Sequence, residues 1–159
     1  MALQQRGDYW YGDSASDIRA LLSMDRPGAD PMTVFADAVC ECGGKVFSLQ
    51  LDDEYQEAAL FCKACDSQYC FHTTNVDGYY EGDTEADTEC CGCPCTKRGA
   101  THYEITLGAS LYDGSDDVRW VHIGCRCVAC GLVAFYASWH RVEIPYQRLF
   151  ARLRNKMPD

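Results

Sequence analysis

The chain has 159 residues, 12 cysteines and a formal net charge of −10 at pH 7. Its length allows one or two small domains, and it contains no apolar run long enough to span a bilayer. No basic flank precedes an apolar core at its start, so we expect no signal peptide and predict a cytoplasmic protein. Cysteines so numerous in a reducing compartment indicate bound metal in place of a disulfide framework.

The acidic charge is concentrated in one part of the chain. Residues 40–89 carry 12 acidic and 2 basic side chains, whereas residues 90–159 carry 6 acidic and 9 basic ones. A surface of this kind repels phosphate backbones and attracts basic partners. The composition therefore favours a basic protein partner over a nucleic acid or a membrane.

An N-terminal aromatic arm and short helices are predicted for residues 1–39. The arm is the run DYWYG, and the first helix spans Asp13–Met24, where apolar residues share one helical face. Ser14 or Ser16 is the candidate cap of this helix. Residues 31–39 are predicted to form a further helical turn.

A zinc ribbon is predicted for residues 40–76. A CxC pair and a CxxC pair flank a polar-tipped hairpin, and together they supply the four thiolates that a tetrahedral zinc ion requires. The predicted ligands are Cys40, Cys42, Cys62 and Cys65.

Alternating apolar residues in the hairpin of this ribbon predict two strands with one buried face. Phe47, Leu49 and Leu51 are expected on that face of the first strand, with Ala59 and Phe61 on the same face of the returning strand. A third strand is predicted after the CxxC pair. It carries Cys70, which we interpret as a small buried apolar residue.

An acidic linker is predicted for residues 77–89, which are polar and punctuated by glycine. After it the cysteine pattern restarts, so residues 90–144 are predicted to form a second zinc ribbon. Its predicted metal ligands are Cys93, Cys95, Cys127 and Cys130.

The repeat extends to the strands, because Tyr103, Ile105 and Leu107 reproduce the alternation of the first hairpin. One alternative stays open, in which Cys91 replaces Cys93 or Cys95 as a ligand. The roles of three further cysteines are also left open by the sequence: Cys70, Cys90 and Cys125.

A C-terminal helix is predicted for residues 145–159, opened by Pro145. Its apolar face carries Tyr146, Leu149 and Leu153, and its opposite face carries Arg148, Arg152 and Lys156. We expect this helix to dock against acidic surface of the same chain, with the first ribbon as the candidate.

These elements predict a mainly β, small α+β protein with two zinc-ribbon-like units and short helices at both ends. Two zinc ions are the predicted cofactors, with iron as the alternative metal. The cysteine signature and the run from Trp120 to Gly131 resemble a group of uncharacterised bacterial proteins with duplicated zinc ribbons. The resemblance covers residues 35–145 and implies the fold and the metal but no activity.

One enzymatic pattern is visible, because His102-Tyr103-Glu104 followed by the second CxxC pair echoes the arrangement of zinc deaminases. Arg126 stands where those enzymes have proline before the first cysteine, and the histidine lies in a strand-like run. A zinc-dependent hydrolase or deaminase is therefore the third hypothesis.

The first hypothesis is a non-enzymatic zinc protein whose acidic surface binds a basic protein, for example as an immunity or antitoxin-type protein. Four sulfur ligands leave no open position on zinc, so no catalytic residue is predicted. The second hypothesis is a zinc-ribbon nucleic-acid-binding or transcription accessory factor, for which Arg148 and Arg152 supply the positive charge.

Overall fold

The computed structural model describes residues 3–24, 30–52, 56–73, 89–90, 93, 95, 102–140 and 142–154. It confirms the predicted fold class, since strands dominate and short helices lie near both ends. The strands are β1 (Gln4–Arg6), β2 (Tyr9–Tyr11), β3 (Val34–Asp37), β4 (Phe47–Asp52), β5 (Glu57–Cys62), β6 (Gln68–His72), β7 (Glu89–Cys90), β8 (Tyr103–Leu111), β9 (Val118–Cys127) and β10 (Leu132–His140). The helices are α1 (Ser16–Leu22) and α2 (Tyr146–Ala151), and a 3₁₀ turn (Arg152–Arg154) follows α2 directly.

All described strands belong to one antiparallel sheet in the order β1-β2-β10-β9-β8-β4-β5-β6, with β3 pairing β8 and β7 pairing β4. The strands of the two predicted ribbons meet where Phe47 of β4 pairs with Tyr103 of β8. Beyond this pair, β3 takes the place beside β8 and β7 the place beside β4. The two halves of the sheet are therefore joined at this one residue pair and have different neighbouring strands beyond it.

The main core draws on both halves of the sheet. The predicted alternations are confirmed, because Phe47, Leu49 and Leu51 of β4 are buried. The corresponding residues of β8 are buried as well: Tyr103, Ile105 and Leu107.

The expectation for the returning strand of the first hairpin is wrong. Ala58 and Leu60 pair with Leu51 and Leu49, so these residues share the buried face. Ala59 and Phe61 lie on the opposite face, because the register places Asp52 opposite Glu57 and so shifts the pattern by one residue.

Helix α1 packs on the other face of β8, β9 and β10 with a second apolar cluster. A side chain at Gly124 of β9 would overlap Ile18, so glycine is needed for this close approach. The predicted serine cap is wrong, because α1 has no side-chain cap. The Asp17 carboxylate instead accepts hydrogen bonds from the backbone N–H groups of Asp13 and Ser14.

Residues 34–37 form strand β3 and not the predicted helical turn. Val34 to Asp37 pair with Ala109 to Thr106 of β8. The β-branched and aromatic residues Val34 and Phe35 favour a strand, and the free flank of β8 supplies the pairing partner.

Helix α2 confirms the predicted apolar face, since Leu149 and Leu153 are buried in the main core. The prediction that Arg152 lies on the exposed face is wrong, because this residue is 5% exposed. It falls in the 3₁₀ turn, whose different residue spacing rotates its side chain inward. Its guanidinium donates a 2.7 Å hydrogen bond to the His72 backbone oxygen of β6, so the C-terminal segment contacts the predicted first ribbon. The expected docking on an acidic surface stays a prediction.

The predicted acidic linker lies outside the described residues apart from Glu89, and the predicted domain boundaries stay predictions. Among the helices of the described ranges, none has the length and apolar character needed to cross a membrane.

Candidate metal centres

The first group of potential metal ligands joins the turn before β4 to the turn after β5. The four sulfurs lie within 4.8 Å of one another and belong to Cys40, Cys42, Cys62 and Cys65. Two measured separations are 3.4 Å, between Cys40 and Cys65, and 3.7 Å, between Cys42 and Cys62. We call this group the first quartet.

The second group joins the chain before β8 to the turn after β9, and its sulfurs also lie within 4.8 Å of one another. We call it the second quartet: Cys93, Cys95, Cys127 and Cys130. The sulfur of Cys93 lies 3.6 Å from that of Cys130, and Cys95 lies 3.6 Å from Cys127. Cys91, the alternative ligand, is outside the described residues.

Both quartets fit a tetrahedral metal ion. A zinc ion with Zn–S bonds of about 2.3 Å holds its sulfurs about 3.8 Å apart, close to the measured 3.4–3.7 Å. The ten cysteines whose side chains are described are all free thiols. A Cβ atom on Gly44 would come within 2.9 Å of the Cys62 sulfur. Any larger residue at this position would therefore crowd the first quartet. Two groups of four cysteines could therefore hold two metal ions.

The two quartets are built by the same backbone hydrogen bonds, as the internal repeat predicts. The Asp66 N–H donates to the oxygen of Cys62 at 2.8 Å, and the Gly131 N–H donates to that of Cys127 at 2.8 Å. Both donors have a positive φ, +62° at Asp66 and +83° at Gly131. The chain thus turns sharply after each CxxC pair and returns as the next strand.

The connection to the preceding strand also repeats. The Lys63 N–H donates to the Val46 oxygen in the first unit, and the Val128 N–H donates to the His102 oxygen in the second. Each bond fixes a CxxC turn against the start of its hairpin.

The quartets lie at the same end of the sheet and on the same face. Cys62 pairs with Phe47, which pairs with Tyr103, which pairs with Cys127. These four positions form one row across four strands, so the α-carbons of Cys62 and Cys127 are about 14 Å apart at roughly 4.8 Å a strand.

Hydroxyl groups contact the first quartet. The Tyr69 hydroxyl donates to the Cys40 sulfur at 3.3 Å and accepts the Glu41 N–H at 2.9 Å. The Ser67 hydroxyl lies 3.1 Å from the Cys65 sulfur. Burial raises the pKa of the Cys40 thiol, but the Tyr69 hydroxyl and the Cys42 backbone lower it more, to about 6.

Without a bound cation, neighbouring thiols favour the protonated form of two other ligands, Cys42 and Cys95. The Gly44 N–H lowers the pKa of Cys42, but the adjacent Cys40 and Cys65 thiols raise it to about 12. Neighbouring thiols also raise the pKa of Cys95, with Cys93 the largest cause. A divalent cation that replaces these protons would relieve the repulsion among four thiolates.

Cys70 and Cys125, the other cysteines whose side chains are described, belong to neither quartet. Cys125 is fully buried in the main core. Cys70 is half-buried on β6, where burial and then the Glu57 charge raise its pKa to about 11. Cys90 belongs to β7, and nothing is described of its side chain.

The deaminase-like residues do not assemble around the second quartet. Tyr103 pairs with Cys127, so the side chain of Glu104 lies on the opposite face of β8 from the Cys127 thiol. The Glu104 carboxylate binds the Arg126 guanidinium at 2.6 Å. The same arginine donates to the Gly12 oxygen at 2.8 Å, which attaches the N-terminal segment to β9.

Sequence reasoning missed a row of buried ionisable residues at the far end of the first ribbon. Asp52, Glu57 and His72 are opposite one another on β4, β5 and β6 and are 2–4% exposed. Among the residues that the structure describes, neither carboxylate oxygen of Glu57 has a hydrogen-bond partner. Burial and then the Asp52 charge raise the pKa of Glu57 to about 7.

Comparison of the chain with protein-family models, with curated proteins and with solved structures finds no match.

Proposed function

We propose that the protein is a non-enzymatic interaction protein in which both quartets hold structural zinc and an acidic surface binds a basic protein. The observation that carries the zinc assignment is the geometry of the eight thiols. Zinc commonly binds cysteine thiolates, and four thiolate sulfurs complete its tetrahedral coordination. No position is then left for a water or a substrate, which supports a role in folding over one in catalysis.

The position of the sites supports a structural role. Each quartet ties the two ends of a hairpin, and the hairpins meet at the pair formed by Phe47 and Tyr103. Structural zinc contributes on the order of 10 kcal/mol to folding in small domains. Two zinc ions would stabilise the end of the sheet that carries the two quartets. The rest of the protein surface would stay available for binding.

The described surface offers an acidic region at the opposite end of the second hairpin. We call it the acidic end: Asp113, Asp116, Asp117 and Glu143. The Tyr146 N–H donates to the backbone oxygen of Asp116, and the Glu143 N–H donates to the backbone oxygen of Val118. The β8–β9 turn and the approach to α2 therefore lie side by side. Each zinc site with four thiolates adds about −2 to a chain already at −10.

The burial of Arg152 weakens the nucleic-acid hypothesis. That hypothesis relied on Arg148 and Arg152 as a solvent-facing basic pair, yet Arg152 binds the His72 backbone and is 5% exposed. A phosphate could reach it only if the C-terminal segment undocked. The charge pattern therefore supports a protein with a basic surface as the partner, and an immunity or antitoxin-type protein remains one concrete form of the proposal.

Affinity purification followed by binding measurements tests the partner. The tagged protein should retrieve a basic protein, and titration calorimetry with that purified protein should show affinity that falls as salt rises. Asp113→Asn with Asp116→Asn should weaken binding about tenfold if the acidic end is the contact. Asp8→Asn with Asp13→Asn removes the same charge from exposed positions elsewhere and should leave the affinity near that of the wild type. Failure to retrieve a basic protein, beside a clear nucleic-acid mobility shift at physiological salt, would overturn the proposal.

A further inference from the structure

The two quartets repeat one arrangement of exposed and buried thiols. The second cysteine of each CxC pair and the last cysteine of each CxxC pair are exposed: Cys42 and Cys65 in the first quartet, Cys95 and Cys130 in the second. The other cysteine of each pair is buried: Cys40 and Cys62 in the first quartet, Cys93 and Cys127 in the second. Each quartet therefore presents two thiols to reagents in solution and keeps two inside the protein.

Each exposed thiol contacts a buried thiol of the other cysteine pair. In the first quartet the Cys65 sulfur lies 3.4 Å from that of Cys40. The Cys42 sulfur lies 3.7 Å from that of Cys62. The second quartet repeats both contacts, at 3.6 Å each. A disulfide bond is about 2.05 Å long, so an approach of about 1.5 Å through side-chain rotation would form either bond.

Disulfides between these partners would join the same two ends of a hairpin that a zinc ion joins. The partners are 20 and 25 residues apart in the first quartet and 32 and 37 residues apart in the second. Disulfides that close loops of this length restrict the unfolded chain. A bond within a CxC or a CxxC pair would join near neighbours in sequence and leave the hairpin ends unlinked. Bonds between the pairs would therefore keep each hairpin closed after its metal has left.

The thiolates of a zinc site can reach this disulfide state by reaction with a peroxide. Zinc holds its cysteine ligands as thiolates, the form of cysteine that peroxides oxidise. An exposed thiolate attacks one oxygen of hydrogen peroxide and becomes a sulfenic acid, and the other oxygen leaves as hydroxide, which a proton converts to water. The buried thiolate then attacks the sulfenic sulfur, the S–S bond forms, and the sulfenic oxygen leaves with a second proton as water.

The electrons and the metal balance in this sequence. For each disulfide, two thiolates lose two electrons and one peroxide is reduced to two waters with the uptake of two protons. Two such bonds in one quartet remove all four ligands from the zinc ion, which leaves as Zn²⁺.

We infer that the quartets are peroxide-sensitive modification sites, in which oxidation joins each exposed thiol to its buried neighbour, releases zinc and leaves the hairpins closed. The expected disulfides are Cys40–Cys65, Cys42–Cys62, Cys93–Cys130 and Cys95–Cys127. The inference rests on the proposed function, because it takes both quartets to hold zinc. It adds a regulatory role, in which an oxidant controls the metal content of a chain that stays folded.

Peroxide titration of the zinc-loaded full chain tests the inference. A chelator that changes colour on binding zinc measures metal release, peptide mapping without reduction identifies the disulfides, and circular dichroism follows the fold. Consumption of about four peroxides per chain, one for each disulfide, should accompany release of both zinc ions. The strand signal should persist after oxidation, whereas the reduced chain stripped of zinc should lose it. A thiol reductant with added zinc should restore the two-zinc protein.

A cysteine outside the quartets supplies the matched control. Cys70 is a half-buried thiol on β6 that belongs to neither quartet. Cys70→Ala should therefore release zinc at the wild-type rate and form the same disulfides. A changed rate or pairing in this variant would show that the reaction begins outside the quartets and would overturn the inference.

The remaining outcomes separate this inference from the proposed function. Zinc that stays bound at peroxide concentrations that oxidise free cysteine would overturn the inference while leaving structural zinc in place. Bonds within a CxC or CxxC pair, bonds to a cysteine outside the quartets, or loss of the strand signal on oxidation would do the same. A purified protein that carries no zinc would contradict both.

Discussion

Phe47 and Tyr103 lie directly opposite each other on β4 and β8, and this pair joins the first half of the sheet to the second. Each residue also pairs with a cysteine of its own quartet, Phe47 with Cys62 and Tyr103 with Cys127. The two candidate metal sites are thus connected through the sheet. Because one core is shared by both halves, we expect them to unfold as a single unit.

Metal removal should therefore abolish the whole fold. Each structural zinc contributes on the order of 10 kcal/mol, so the loss of both ions exceeds the net stability of a typical small domain, about 5–15 kcal/mol. After dialysis against a strong chelator, circular dichroism and tryptophan fluorescence should both show loss of structure, and zinc should restore it. Unfolding of the zinc-loaded protein by denaturant should follow one transition, coincident in both signals. Two separate transitions would show that the halves are independent.

Substitution of single cysteines on β9 should distinguish metal ligands from core residues. Cys127→Ser should bind fewer than two zinc ions per chain, because serine is a poor zinc ligand. Cys125→Ala is the control, since Cys125 is equally buried on β9 but belongs to neither quartet. It should keep two zinc ions and cost about 1 kcal/mol. Retention of two ions by Cys127→Ser would contradict the ligand assignment.

The contact between Arg152 and His72 should stabilise the docked C-terminal segment. Arg152→Ala would leave the buried His72 oxygen without this donor, at a cost of about 1–3 kcal/mol. Arg154→Ala, two residues away and exposed, should change the free energy of unfolding by less than about 0.5 kcal/mol. Urea unfolding of the two variants makes the comparison, and equal effects would show that the contact contributes nothing specific.

Stability should fall as pH rises toward and through 7 because of Glu57. Its pKa is raised from 4.5 to about 7 in the folded chain, so the folded state holds a proton that the unfolded state has released. The stabilisation from this proton is complete below about 4.5 and is lost as pH rises through about 7. Unfolding measured between pH 5 and 8.5 should show stability falling up to about pH 7 in the wild type, with no further loss from Glu57 above that pH.

Glu57→Gln should flatten that decline, because glutamine occupies nearly the same space and stays neutral. Glu143→Gln is the control, an exposed glutamate that should leave the pH dependence unchanged. The same slope in wild type and Glu57→Gln would show that another group titrates in this range.

Local patterns in the sequence predicted the parts of the fold that depend on local physics. Cysteine spacing predicts which thiols can converge, and period-two alternation located β4 and β8. The face of β5 was misassigned because the number of residues in the turn decides which side chains face the core. Strand β3 was missed because its main support is pairing with β8, a partner about 70 residues away in sequence.

These local patterns do not reveal contacts between residues that are distant in sequence. Nothing between residues 40 and 76 indicates that Phe47 pairs with Tyr103, so the sequence predicts two separate ribbons. The inward rotation of Arg152 depends on a 3₁₀ turn at the end of α2, which helical periodicity does not reveal. The buried row with Glu57 was missed because burial of a carboxylate contradicts its usual preference.

Zinc-edge X-ray absorption with metal analysis of the purified chain is the most direct measurement of the central claim. The account predicts two zinc ions per chain, each with four sulfur neighbours at about 2.3 Å. Fewer than two ions, or a nitrogen or oxygen neighbour in the first shell, would contradict it.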